Sequence, residues 1–180
     1  VQIVQPAREV RMLRRLLARH HGPLPEETII RIWRELVSSV SLLQTGLSVA
    51  VYAPPYRTTY WDMARDYFGS VLPMARFDTP EAAFEAVRKG EMNFAILPFD
   101  LDGQHHWWDT LFESVMHDEG LCVIQCLPIA QKQYYAHHNF PCVIVAKATF
   151  DESGDDRTLI GITSPEPISM GDIGKLCKKV

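Results

Sequence analysis

Two segments near the start of the chain repeat apolar residues at the three- and four-residue steps of an amphipathic helix. In PAREVRMLRRLLARHH the pattern predicts a helix that begins near Pro6 and stops at Gly22. In IIRIWRELVSSVSLLQ the apolar residues form two neighbouring rows, which predicts a second helix with one broad buried face. Extending the row of Ile30 and Val37 by seven residues reaches Gln44, so an amide is expected on that face.

An amide without water needs hydrogen-bond partners, and Gln44 therefore has two interpretations. It either bonds a neighbouring backbone or faces a ligand held between helices. Arg8 and Glu9, at the start of the first helix, favour the ligand, because a guanidinium oriented by nearby groups suits recognition of a carboxylate. The other arginines of this helix are expected on a solvated basic face: Arg11, Arg14, Arg15 and Arg19.

From Leu47 onward, strand patterns alternate with helix patterns. LSVAVYA, PMARFD and NFAILPF read as strands, and Thr79 and Pro80 mark the start of a helix that ends before Gly90. Further strands are predicted for GLCVIQCLPI, PCVIVAKATF and RTLIGITS, and further helices near Thr59–Phe68, near Trp107–His117 and from SPEPISMGDIGKL. The fold class is therefore α+β: a helical hairpin, then a mostly parallel α/β sheet whose strand ends would bind ligands.

Net charge, apolar content and cysteine spacing argue against several classes of function. The 180 residues carry a net charge of −4, which argues against a general nucleic-acid binder, and no apolar run is long enough to span a membrane. The four cysteines form no CxxC pair, so we expect a reducing, cytoplasmic location. Six of the seven histidines form three adjacent pairs, and adjacent side chains on a helix or strand point apart, so no metal site is expected. The chain begins at Val1 directly before a helix signal and ends in KLCKKV, so we expect one or both ends of the natural protein to be missing.

Residues 1–45 resemble the all-helical class of chorismate mutase. In that family PxRE opens the second helix and a glutamine lies late in the third, which matches Pro6, Arg8, Glu9 and Gln44. The resemblance implies a homodimer of interlocked three-helix chains that converts chorismate to prephenate without metal or cofactor. The family's first helix, with two arginines and a trailing lysine, has no counterpart here, so this chain alone is expected to be inactive.

The resemblance also implies residue roles. Arg8 would help to hold the substrate, Glu9 would bond its ring hydroxyl, and Gln44 would contact its ether oxygen or carboxylate. Gln5 stands where the family commonly has an acid, and Ser41 flanks the position of a family serine. We therefore expect Arg8, Glu9 and Gln44 to be catalytic and Gln5 and Ser41 to bind substrate.

Residues 47–165 resemble the catalytic domain of prephenate dehydratase, which has the periplasmic-binding-protein fold. The resemblance lies in YAPPYRTTYWDMARDYFG and in FDTPEAAFEAVRKGEMNFAILPFD. Two family glycines are replaced by Pro54 and Arg57. The family's Thr-Arg-Phe would fall at Pro141-Cys142, followed by a valine, and neither proline nor cysteine can replace the threonine hydroxyl or the arginine. We therefore expect no dehydratase activity.

The predicted organisation is residues 1–46 as chorismate mutase-like helices and 47–180 as a degenerate dehydratase-like α/β domain. Within the latter, 157–180 would begin a regulatory-type subdomain. The alternative to an enzyme is a non-catalytic module, derived from the dehydratase, that binds an aromatic ligand or regulates the mutase. A further alternative makes the arginine-rich first helix a nucleic-acid contact. No nucleic-acid or membrane partner is expected otherwise.

Overall fold

The computed structural model describes residues 6–56, 58–99, 107–128, 142–149, 152–154, 158–162 and 168–177. Within these ranges the chain forms six helices and five strands. The helices are α1 (Pro6–Ala18), α2 (Glu26–Thr45), α3 (Thr59–Phe68), α4 (Pro80–Arg88), α5 (Trp107–Met116) and α6 (Met170–Cys177). The strands are β1 (Val49–Tyr52), β2 (Met74–Phe77), β3 (Phe94–Pro98), β4 (Leu121–Leu127) and β5 (Cys142–Lys147).

The five strands form one mixed sheet in the order β2-β1-β3-β5-β4. β1 pairs in parallel with β2 and β3, whereas β5 runs antiparallel to both β3 and β4. Two of the four strand pairings are thus antiparallel, which corrects the expectation of a mostly parallel sheet. Helices separate the first strands in sequence, as parallel pairing requires, but no helix pattern separates the sequences of β4 and β5.

Helices cover both faces of the sheet. On one face, Phe68 and Tyr67 of α3 are buried against side chains such as Ile96. On the other face, Phe84 of α4 and Trp107 of α5 join the next cluster. Neighbouring residues of β3 alternate between the clusters, which is the period-two pattern of a strand buried on both sides.

Local signals set the helix ends. The Thr79 side chain accepts a hydrogen bond from Ala82 N at 3.2 Å, and Pro80 occupies the first turn, which confirms the predicted start of α4. Gly46 ends α2 with φ 65°, a left-handed conformation that suits glycine, and its N–H bonds the Leu42 carbonyl at 3.0 Å. None of the described helices is both long and apolar enough to cross a bilayer.

The orientation of α2 differs from expectation. Its buried residues are Arg34 and Ser38, which face α3, and not the apolar row. Leu36, Val40 and Leu43 are 58%, 52% and 88% exposed. The predicted buried face is therefore wrong for these three residues, because α2 docks on α3 through polar side chains. The other apolar residues of the two rows are half-buried: Ile29, Ile30, Trp33 and Val37.

These polar contacts recur along one side of α2. Arg31 pairs with Asp66 of α3, and the Glu35 carboxylate accepts the backbone N–H of Ser70 at 2.9 Å. Arg34, between them, reaches Tyr67. Contacts at three- and four-residue steps lie on one helix face, so they fix the rotation of α2 about its own axis.

Two other segments depart from expectation. Arg11 and Arg14 are exposed, yet their Nη1 atoms donate to the carbonyls of Glu152 and Ser153 at 3.0 and 2.9 Å. Residues 158–162, part of the last predicted strand, are not in a strand. Gly161 lies so close to α5 that a Cβ there would be 2.5 Å from Phe112 Cζ. This segment therefore packs on a helix instead of extending the sheet.

Gly69, which ends α3, provides a stability test of the α2–α3 contact. It has φ 76° and ψ −168°, a combination open essentially to glycine alone, and a Cβ there would lie 3.3 Å from Glu35 Cα and collide with its carboxylate. We expect Gly69→Ala to lower the free energy of unfolding by about 3 kcal/mol, from strain plus displacement of α2. The free energy of unfolding is measured by urea denaturation, with circular dichroism monitoring the loss of folded protein.

Gly46→Ala is the matched control. Gly46 also ends a helix at positive φ, but a Cβ there would meet nothing within 4 Å. Its substitution should cost about 1 kcal/mol from the left-handed conformation alone. Equal losses in the two variants would show that the approach of α2 to Gly69 contributes nothing.

Candidate functional site

The most buried charge among the described residues is Arg34, at the meeting point of α1, α2 and α3. Its Nη1 donates to Glu9 Oε2 at 2.6 Å, and its Nε donates to the backbone carbonyl of Tyr67 at 2.7 Å. The guanidinium carbon lies 3.7 Å from the centroid of the Tyr67 ring. One cation thus joins a carboxylate of α1 to the backbone and ring of a residue in α3.

Burial makes these contacts necessary. The Arg34 side chain is 6% exposed and that of Glu9 is 26% exposed. A guanidinium removed from water loses several kcal/mol of hydration, which only close, well-directed partners can offset. A charge-assisted hydrogen bond to Glu9, a carbonyl acceptor and an aromatic face together supply them.

The Arg34 guanidinium also affects the pKa of the Tyr67 hydroxyl. Burial raises the pKa of its hydroxyl, and the Arg34 guanidinium opposes that rise while Glu9 adds to it. Because burial dominates, the hydroxyl remains protonated at neutral pH. Arg34 therefore lies against a neutral ring, whose face attracts a cation.

A cavity of about 20 Å³ lies beside this cluster. Its polar lining comes from Glu9, Arg34, Ser38 and Ser41, and its apolar lining includes Phe68. A volume of this size holds about one water molecule, whereas small-molecule pockets measure roughly 300 Å³ or more. The cavity is therefore too small to enclose a small-molecule ligand.

Two of the five predicted site residues meet here: Glu9 and Ser41 line the same cavity. Arg8 is exposed, as the residue beside an inward-facing Glu9 on a helix would be. Gln44 is also exposed and does not line the cavity, so its expected burial is corrected. It lies in the last turn of α2, where residues 43–46 are all exposed and no described element covers them. Gln5 lies outside the described residues.

The sequence pattern did not single out Arg34, although a signal existed. Arg34, Ser38 and Ser41 recur at steps of four and three, which makes a polar row opposite the apolar one. A polar row with a cation on a helix that also has a strong apolar row indicates two different interfaces.

Of the residues expected in place of the dehydratase Thr-Arg-Phe, the two that the structure describes lie in the core of the sheet. Cys142 is fully buried, its Sγ is 3.5 Å from Met63 Sδ, and burial raises its pKa to about 12. Val143 is buried on the opposite face. A neutral, inaccessible thiol can neither attack nor bind a carboxylate. Pro141 and Arg57 lie outside the described residues.

Across the described ranges, histidine, cysteine, aspartate and glutamate side chains nowhere gather in groups of three that could hold a metal ion. Among the described residues, the ion pair between helices that is withdrawn from solvent is Arg34–Glu9, whereas Arg31–Asp66 is exposed. The Arg34–Glu9 pair can donate and accept hydrogen bonds and can orient a neighbouring group.

Comparison with known proteins gives three similar sequences, each named bifunctional chorismate mutase/prephenate dehydratase. That of Pseudomonas aeruginosa is 31% identical over 121 residues, 66% of this chain and 32% of the relative. That of Stutzerimonas stutzeri is 33% identical over 121 residues, with the same shares, and that of Neisseria gonorrhoeae is 29% identical over 98 residues. The chain thus spans about a third of the length of these relatives.

No protein-family model matches the chain. Among solved structures, a chain titled "GqqA- a novel type of quorum quenching acylases" matches with TM-score 0.38 and 14% identity, over 57% of this chain and 48% of that one. At that level the structural likeness supports no argument about function. The sequence comparisons support the resemblance seen in the residues. Across 66% of its length, this chain is similar to part of a bifunctional chorismate mutase/prephenate dehydratase.

Proposed function

We propose that the complete protein carrying this chain is a chorismate mutase, which rearranges chorismate to prephenate in the biosynthesis of phenylalanine and tyrosine. The observation that carries the proposal is the convergence of Glu9 and Ser41 on one cavity between α1 and α2. The names of the three relatives support the same reaction.

The reaction suits such a site because it is a pericyclic shift that needs no nucleophile, metal or cofactor. The protein's task is to hold a dicarboxylate in a compact chair, which is catalysis by orientation. Donors near the breaking ether bond stabilise the negative charge that develops on oxygen. In this proposal Glu9 accepts the ring hydroxyl and Arg8 and Gln44 hold charged or ether oxygens. Gln5 and Ser41 complete the contacts.

The α/β unit, in this proposal, descends from a prephenate dehydratase of periplasmic-binding-protein fold and is catalytically inactive. Its support is Cys142, whose thiol is neutral and buried where the family arginine would be. Cys122 and Cys142 are thiols that form no disulfide bond, which supports a cytoplasmic protein.

We propose further that two copies of the protein associate through their helical segments. The support is the exposed apolar row of α2, to which Ile32 adds a side chain that is 55% exposed. A contiguous apolar surface of this kind is typical of an interface with another chain. A second copy would also cover the last turn of α2, where Gln44 is exposed.

The alternative is a non-catalytic module that binds an aromatic ligand or regulates another activity. One observation favours it: both faces of the sheet keep closely packed clusters although Cys142 occupies a catalytic position. A sheet that keeps its core without catalytic groups can still bind a ligand.

Turnover of chorismate tests the leading proposal. In the complete protein, we expect loss of chorismate's ultraviolet absorbance, and we expect Glu9→Gln to lower kcat/KM about 10- to 100-fold. The reason is that a hydrogen bond to a charged group contributes about 1.5–3 kcal/mol. Glu91→Gln, the same change at an exposed position outside the site, should leave kcat/KM unchanged. Absence of turnover, or an unaffected Glu9→Gln variant, would refute the assignment.

The oligomeric state tests the proposed dimer. Sedimentation velocity of the complete protein should show a dimer, and the double change Leu36→Glu with Val40→Glu should shift it to monomer, because charges in an apolar contact lose water without partners. Val115→Glu, at a side chain that is 55% exposed on α5, is the matched control and should remain dimeric. A wild-type monomer at all concentrations would contradict the proposal.

Thermal unfolding with phenylalanine, tyrosine and prephenate tests the alternative. A ligand that binds only the folded protein stabilises it by about 2.7 kcal/mol at 100 times Kd, so the melting temperature should rise for at least one of the three. Benzoate serves as the non-specific aromatic control. A flat response to all three ligands eliminates the binding module.

A further inference from the structure

Three helices meet at one guanidinium, and one of its partners is the carboxylate assigned to the substrate hydroxyl. We infer that Arg34 is a positioning residue for Glu9: anchored on Tyr67, it fixes the direction of the carboxylate, so that the α/β unit sets the geometry of the helical site. The inference rests on the proposed function.

The anchor is built from features of α3. Tyr67 is the second-to-last residue of α3, so its carbonyl is among the last four that lack a partner within the helix. Such carbonyls carry the negative end of the helix dipole and favour a cation. Arg34 Nε donates to this carbonyl at 2.7 Å while its guanidinium stacks on the ring.

These two contacts leave the guanidinium little freedom. Stacking sets its plane and the Nε bond sets its direction within that plane, because the fork of an arginine is rigid. The contacts with Tyr67 therefore direct the Nη1 atom independently of Glu9, and the 2.6 Å bond to Oε2 fixes the carboxylate along that direction.

Glu9 keeps capacity for a second partner. An ionised carboxylate has about four acceptor positions, and the bond to Arg34 occupies one of them. Its side chain is 26% exposed, so a ligand hydroxyl can approach from solvent. Arg34, at 6% exposure, is covered and cannot take the ligand itself.

Arg31 shows that bridging α2 to α3 is not sufficient for this role. It lies one turn earlier on α2 and pairs with Asp66 of α3, but the two side chains are 67% and 57% exposed. Arg31 does not line the cavity of Glu9. It therefore supplies a matched control in which a bridge between the same helices is removed without touching Glu9.

A kinetic double-mutant cycle on the complete protein tests the inference. We expect Arg34→Met to raise the KM for chorismate about tenfold with kcat within about threefold, because the hydroxyl contact is made in the bound substrate as in the transition state. In a Glu9→Gln background, Arg34→Met should change KM less than about twofold, since the group it positions is gone. Arg31→Met should leave KM within about twofold.

Each other outcome overturns the inference. A fall in kcat at unchanged KM would mean only loss of folded protein, and equal KM changes in both backgrounds would mean that Arg34 acts independently of Glu9. A wild-type protein without turnover refutes the proposed function and the inference with it, and this is measured first. If Arg34→Met does not fold, Arg34→Lys decides the cycle: it keeps the charge without the planar fork, and about a threefold rise in KM is expected only when Glu9 is present.

Discussion

The structure of the first half of the chain depends on how a buried guanidinium is satisfied. Arg34 has lost its water, and its partners come from α1 and from the end of α3. A charge in that position is tolerated only while all of these contacts hold together. The rotation of α2 and the docking of α1 near Glu9 therefore follow from one electrostatic requirement.

That rotation gives α2 two unlike faces. The face toward α3 is held by charged contacts, of which the exposed Arg31–Asp66 pair contributes about 0–1 kcal/mol. The opposite face carries Leu36 and Val40, each of which would contribute about 1.5–3 kcal/mol on full burial. The polar face thus fixes the orientation of α2, whereas burial of the apolar face would contribute more to stability. A second copy bound on the apolar face, as proposed, would leave the contacts of Arg34 on the other face undisturbed.

The sequence predicted what is decided locally. The span of α3, the capping of α4 by Thr79 and the strand β3 follow from capping residues and apolar periodicity, and the structure has them. The facing of α2 could not be predicted in the same way. Periodicity shows that a helix has an apolar side, but not which neighbour will cover it, and a buried arginine depends on a carbonyl 33 residues away in sequence. For the same reason apolar periodicity pointed to Gln44, at the edge of the apolar rows, and not to Arg34 in the polar row.

The helical half and the α/β half of the chain differ in where their polar side chains lie. In the helical half a carboxylate and a serine still face one cavity, and a buried cation fixes the carboxylate. In the α/β half, Cys142 packs against Met63, and burial raises the pKa of its thiol so that it stays neutral. A buried cysteine behaves as a small apolar side chain and therefore fits this core position. An arginine there would need a partner for its buried charge. The sheet has to be folded for the helical half as well, because α3, which packs on it, presents the carbonyl and the ring of Tyr67 that hold Arg34 in place.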